Sequence, residues 1–115
     1  MIYLGTDIVE IQRIQKNINF KKDKFLSRIF TEGEIEYCES KLNPAIHFAG
    51  RFAGKEAIKK AVLSSGLLKR ISMKDIEIIP VNNIPRVKIL SLDNHINLSI
   101  SHTQDFATAT AIIMK

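Results

Sequence analysis

The stretch "AGRFAGKEAIKKAV", Ala49 to Val62, decides the fold, because its small and apolar residues recur at helical spacing. Wound at about 100° per residue, Phe48, Ala49, Phe52, Ala53 and Leu63 fall within one arc of roughly 140°. Outward from this stretch, Pro44 disfavours helix in the residue before it and Gly66 suits a left-handed stop. The spacing therefore predicts a long central helix from about Ala45 to Ser64. Glu56 falls near the middle of the apolar arc, with Lys60 one turn further on. An ionised carboxylate buried there costs several kcal/mol unless it is paired or binds a cation. The plainer reading is an i to i+4 pair with Lys60, worth only about 0.3–0.5 kcal/mol at an exposed site. Ala53 and Ala57 on either side leave room for another chain segment or a ligand. Gly54 weakens the helix by about 1 kcal/mol relative to Ala, a cost that close packing would explain.

Before this helix, Ile2 to Val9 alternates and is rich in β-formers, which predicts a strand interrupted near its end by Asp7. Helical pieces are expected from Gln12 to about Asn17 and from Lys24 to Phe30. Thr31 stands three residues before Glu34, a capping-box pattern, so a short helix from Glu32 to about Lys41 is expected next. After the central helix, "DIEIIPV", "NNIP" and "RVKIL" read as strand, turn and strand. "INLSISH" and "FATATAIIMK" are two more strands around the turn "TQD". Strand, helices, then four strands imply one α+β domain over residues 1–115, a largely antiparallel sheet packed against the long helix.

Composition narrows the class of function. With 45% hydrophobic and 25% charged residues in 115, the chain can build a core without staples. No apolar run reaches the roughly 18 residues a membrane span needs. "MIYLGTDIVEI" lacks the basic, apolar and small-residue sequence of a signal peptide. One cysteine, Cys38, excludes an internal disulfide and a cysteine-based zinc site, so a cytoplasmic setting is expected. The net charge of +5 implies an acidic partner. Between Ile11 and Phe30, Arg13, Lys16, Lys21, Lys22, Lys24 and Arg28 face one acid, Asp23. A solvated face that keeps the chain soluble is one reading of this surface, and nucleic acid, a phosphorylated small molecule and an acidic protein would all suit it; for nucleic acid, no helix-turn-helix and no basic strand with interleaved aromatics accompanies it.

Three polar residues stand out against the pattern. Besides Glu56, aspartate is disfavoured inside strands, so Asp7 ends the first strand, caps the helix after it, or serves a site. Two carboxylates from separate elements, without thiols, suit a hard cation such as Mg²⁺, which keeps waters and takes substrate phosphates as further ligands. His102 lies at the tip of the last hairpin, either as a turn residue or as a phosphate donor or proton carrier.

"GTDIVEIQRI" (Gly5–Ile14), "GRFAGKEAIKKAV" (Gly50–Val62) and "SISHTQDFATATAI" (Ser99–Ile112) resemble, in order and spacing, the three motifs of the holo-acyl-carrier-protein synthases. These are the small bacterial 4′-phosphopantetheinyl transferases. The resemblance implies that fold and a Mg²⁺-dependent transfer of 4′-phosphopantetheine from coenzyme A to a serine of apo acyl carrier protein, in fatty acid biosynthesis. Adenosine 3′,5′-bisphosphate would be released. By motif, Asp7 and Glu56 would ligate Mg²⁺ and Lys60 would lie on the pyrophosphate. Arg51, Lys55 and His102 would help hold coenzyme A phosphates or order the reacting groups, and Arg13 would meet the acidic carrier protein. The general base would be Glu56 or a metal-bound water. The family commonly forms a homotrimer with active sites between protomers. Phe52 stands where many members carry Trp, Gly54 where alanine is usual, and "NNIP" where Asn-Gly-x-Pro is common.

Overall fold

The central helix, which the chain reaches after one strand and two helices, positions everything else. The computed structural model describes residues 1–115. The elements in order are β1 (Ile2–Glu10), α1 (Ile11–Ile29), α2 (Glu32–Glu39), α3 (Pro44–Ser65), β2 (Ile76–Val81), β3 (Ile84–Ile89), β4 (Ile96–His102) and β5 (Phe106–Met114). Pro44 opens α3 where a missing N–H costs nothing, and Gly66 closes it at φ 76°, in the left-handed region.

Thirteen of the 22 residues of α3 are buried, and they run round most of the helix. The tightest packing is on Ala49, Ala53, Ala57 and Ala61, all fully buried. β1 approaches this stripe so closely that a Cβ on Gly5 would overlap the Ala57 carbonyl and come within 2.8 Å of the Ala61 nitrogen. Gly54 is crowded too: a Cβ there would stand 2.8 Å from the tip of Ile78, in keeping with the close packing expected of it. The solvent-facing side carries Phe52, Glu56 and Lys59, half-buried, and Lys60 and Leu63, exposed. Glu56 therefore lies at the rim of the helix, not within its core stripe. Of the five residues of the expected arc, Phe48, Ala49 and Ala53 are buried, while Phe52 is half-buried and Leu63 exposed, so the arc meets the core along only part of its width.

β1, β5 and β4 form one antiparallel sheet in that order, while β2 and β3 form a separate hairpin. The expected sheet is thus split in two, with every pairing antiparallel. Pro80 and Pro85 face each other across the hairpin, and proline belongs on strand edges because it has no N–H to donate. Its turn is only Asn82 and Asn83, both at positive φ (52° and 64°), the geometry that matches strand twist in a two-residue hairpin. β1 runs on past Asp7, which pairs with Ala109. The two expected N-terminal helical pieces join as α1 across a kink at Lys21. α2 carries the anticipated capping box: Thr31 N donates to Glu34 Oε1 at 2.9 Å and Glu34 N to Thr31 Oγ1 at 3.2 Å.

Candidate active site

Alternation along β1 turns Gly5, Asp7 and Val9 toward α3 and leaves Ile2, Leu4, Thr6 and Ile8 on the other side. That places Asp7 opposite the rim of α3 where Glu56 stands. The two carboxylates line one cavity of about 340 Å³, together with Arg13, Asn17, Phe25 and Phe52. Residues 49 positions apart in sequence are thereby brought to one cleft between β1, α1 and α3.

Lys60 extends over the same end of β1, donating to Thr6 O at 2.9 Å and Asp7 Oδ1 at 3.3 Å. It does not pair with Glu56, and none of the three ion pairs in the chain includes Glu56. The i to i+4 reading of Glu56 and Lys60 therefore fails. No group of three or more His, Cys, Asp or Glu side chains gathers anywhere in the chain. Two carboxylates without a third protein ligand do not form a closed metal cage. They do fit a cation that takes one or two carboxylates and completes its shell with water and phosphate, as Mg²⁺ does.

Lys55 is not brought to the cleft. Of the two roles expected of it, direct contact with a phosphate does not suit a side chain that is fully buried, with Nζ donating to Glu34 Oε1. The other Glu34 oxygen accepts from Ile78 N at 2.9 Å. Burial lowers the pKa of Lys55, and the charge and hydrogen bond of Glu34 oppose that shift. The ammonium thus ties α3 to α2 and β2 and has no route to a ligand in the cleft.

Arg51 is brought to a different place. About 140° round α3 from Glu56, it lines a second cavity of about 320 Å³ with Tyr37, His47, Asn83, Pro85 and Ser99. Its guanidinium lies 4.3 Å from the centre of the Tyr37 ring. His102 ends β4 in the open, with Nδ1 at 3.2 Å from Thr103 O, and lines neither cavity. His47 has its pKa lowered, first by burial and then by the charges of Arg51, Lys41 and His102. Tyr37 and His47 escaped the sequence reading; the i to i+4 spacing of His47 and Arg51 was the available signal for one of them.

Residues 3–111 match the model of the 4′-phosphopantetheinyl transferase superfamily. The chain belongs to this superfamily. It is a transferase of the holo-acyl-carrier-protein synthase type, and relatives cover it nearly end to end. It is 45% identical over 120 residues to the holo-[acyl-carrier-protein] synthase of Chlamydia pneumoniae, spanning 99% of this chain and 98% of that one. Among solved structures, the Helicobacter pylori enzyme in complex with coenzyme A superposes with TM-score 0.83 at 35% identity, over 96% of this chain and 99% of that one. The Bacillus anthracis enzyme, in complex with CoA (3′,5′-ADP), gives TM-score 0.81 at 38% identity, over 96% and 94%. The α+β architecture with antiparallel sheets is that of these synthases.

Proposed function

We propose that this transferase moves 4′-phosphopantetheine from coenzyme A to a serine hydroxyl of an apo acyl carrier protein, with Mg²⁺ held between Asp7 and Glu56. Adenosine 3′,5′-bisphosphate leaves. The observation that carries the reading is the meeting of Asp7 and Glu56 in one cavity, in a chain of this superfamily.

Phosphoryl transfer asks the protein for in-line positioning and for neutralisation of charge on the phosphate oxygens. A magnesium ion on the two carboxylates supplies part of that neutralisation. Lys60, whose Nζ stands 3.3 Å from Asp7 Oδ1, adds a positive charge at the same spot, toward the leaving phosphate. Glu56 has no ion partner within the chain and keeps its carboxylate for ligation or, in place of a water, for the serine proton. Arg13 lines the same cavity from α1 and continues into the basic surface of that helix. This surface is assigned to the acidic carrier protein and not to nucleic acid, with Arg13 nearest the incoming serine.

A homotrimer with sites between protomers belongs to the same reading, and two features support it. The outer face of the β1–β5 pair is bare, with Ile2, Leu4, Ile8, Phe106 and Met114 all exposed. Arg51 also lies on the far side of α3 from Glu56, so a coenzyme A whose pyrophosphate rests at Asp7 meets Arg51 and His102 of a neighbouring copy. Fatty acid biosynthesis in the cytoplasm, by a one-domain enzyme, completes the proposal. A single core cluster of 23 residues agrees with one domain, and no helix is long and apolar enough to cross a membrane.

The test is mass spectrometry of apo acyl carrier protein after incubation with the protein, coenzyme A and Mg²⁺. A gain of one phosphopantetheine per carrier is expected. No gain, with a known synthase active in parallel, would overturn the proposal.

A further inference from the structure

Arg51 is an arginine without an acid. Only 8% of it is exposed, its Nε is buried with no hydrogen-bond partner, and it takes part in none of the chain's ion pairs. A buried guanidinium with an unused donor is costly unless something else compensates it. What it touches is the face of Tyr37, 4.3 Å from ring centre to Cζ. The same ring carries Lys41 Nζ at 4.5 Å and meets the His47 ring edge-on at 6.0 Å between centroids. One aromatic side chain on α2 thus gathers three basic groups beside a cavity, and no carboxylate lies within ion-pair distance of Arg51. The negative face of an aromatic ring attracts a cation without neutralising it, which leaves the guanidinium's charge for a ligand.

We propose that Tyr37 is the positioning residue for Arg51: its ring holds the guanidinium beside the cavity of Asn83 and Pro85, ready for a phosphate of coenzyme A. The inference rests on the assignment of Arg51 to such a phosphate. No side-chain hydrogen bond or ion pair anchors Arg51 to α3 or to the β2–β3 hairpin. Without the ring the side chain loses its cation–π contact, and the cost falls on binding rather than on the transfer step.

The experiment compares wild type, Tyr37→Phe, Tyr37→Leu, Arg51→Gln and the Tyr37→Leu/Arg51→Gln double variant. Transfer kinetics give kcat and KM for coenzyme A and for the carrier protein, thermal melts report folding, and calorimetric titration with adenosine 3′,5′-bisphosphate reads the pocket without transfer. Tyr37→Leu is expected to raise KM for coenzyme A about five- to tenfold, with kcat and carrier KM within about twofold of wild type. Tyr37→Phe keeps the ring and the wild-type KM. In the Arg51→Gln background, Tyr37→Leu adds less than about twofold, because the residue it serves is gone. The inference is overturned if Tyr37→Phe loses as much as Tyr37→Leu, if Tyr37→Leu leaves KM unchanged, or if its effect is equally large without Arg51. A wild type that binds the bisphosphate but transfers nothing would sink the transfer reading alone, and the titrations would still decide Tyr37. A wild type that neither transfers nor binds the bisphosphate overturns both.

Discussion

Lys55 and Lys60 stand five residues apart on one helix and end in opposite settings. Lys60 reaches over the edge of β1 to Asp7, with 53% of its side chain exposed. Lys55 is sealed against Glu34, and neither side chain of that pair has any exposure. The contrast shows how similar ion pairs acquire different uses. Water and ligands can reach the Asp7 end, so that carboxylate can exchange a lysine for another cation at little cost. The Glu34 end is also fixed by the backbone of Thr31 and Ile78, so its charge serves only to join α2, α3 and β2. In the proposed function the cleft is the place for chemistry, and the buried pair is a rivet that holds α3 in register behind it.

The largest effect is expected at Lys55. Lys55→Met leaves the Glu34 carboxylate buried and uncompensated, which should cost about 3–5 kcal/mol of stability by urea denaturation. Adding Glu34→Gln should recover a good part of the loss, since a neutral side chain there needs no counter-charge. A Lys55→Met protein as stable as wild type would show that the pair is not a rivet. Lys60→Met probes the exposed member of the contrast. Transfer should fall on the order of a hundredfold, from lost charge stabilisation at the leaving phosphate, while stability changes by less than about 1 kcal/mol. Full turnover in that variant would move Lys60 out of the site.

A smaller effect reports on the core around the rivet. Cys38 is buried, and burial pushes its thiol up from 9.0 to about 12, with Arg51 pulling the other way. The unfolded thiol ionises near pH 9 while the folded one stays protonated, so the unfolded chain holds fewer protons between pH 9 and 12. Stability therefore falls as pH rises through that window, by at most about 1.4 kcal/mol per pH unit from this group. Cys38→Ala should flatten the alkaline fall relative to wild type. Identical pH profiles for the two proteins would contradict the buried thiol.

Much of this was legible in sequence because it rests on local chemistry. Pro44 and Gly66 bound α3 to within a residue, Thr31 and Glu34 announced the start of α2, and the paired asparagines marked the hairpin. The motifs also brought Asp7, Glu56 and Arg13 forward, and the fold places them around one cavity. The features that stayed hidden depend on partners distant in the chain. Lys55 looks like any helical lysine until Glu34, 21 residues earlier, is found beside it. The facing of α3 was right for Phe48, Ala49 and Ala53 and wrong for Phe52 and Leu63, because alanine and glycine, weak markers of burial by size, form the stripe that β1 needs for close approach. Tyr37 was silent for the same reason, since only the folded chain puts its ring under Arg51.

The proposed chemistry depends most on Asp7 and Glu56 gripping one divalent ion together, and Mn²⁺ in place of Mg²⁺ makes that visible. Electron paramagnetic resonance titration of Mn²⁺ in the presence of coenzyme A should show one site per protomer in the wild type. Asp7→Asn and Glu56→Gln should each weaken it by about tenfold or more, with melting curves that remain cooperative. Wild-type Mn²⁺ affinity in both folded variants would contradict the shared site and, with it, the transfer mechanism built on it.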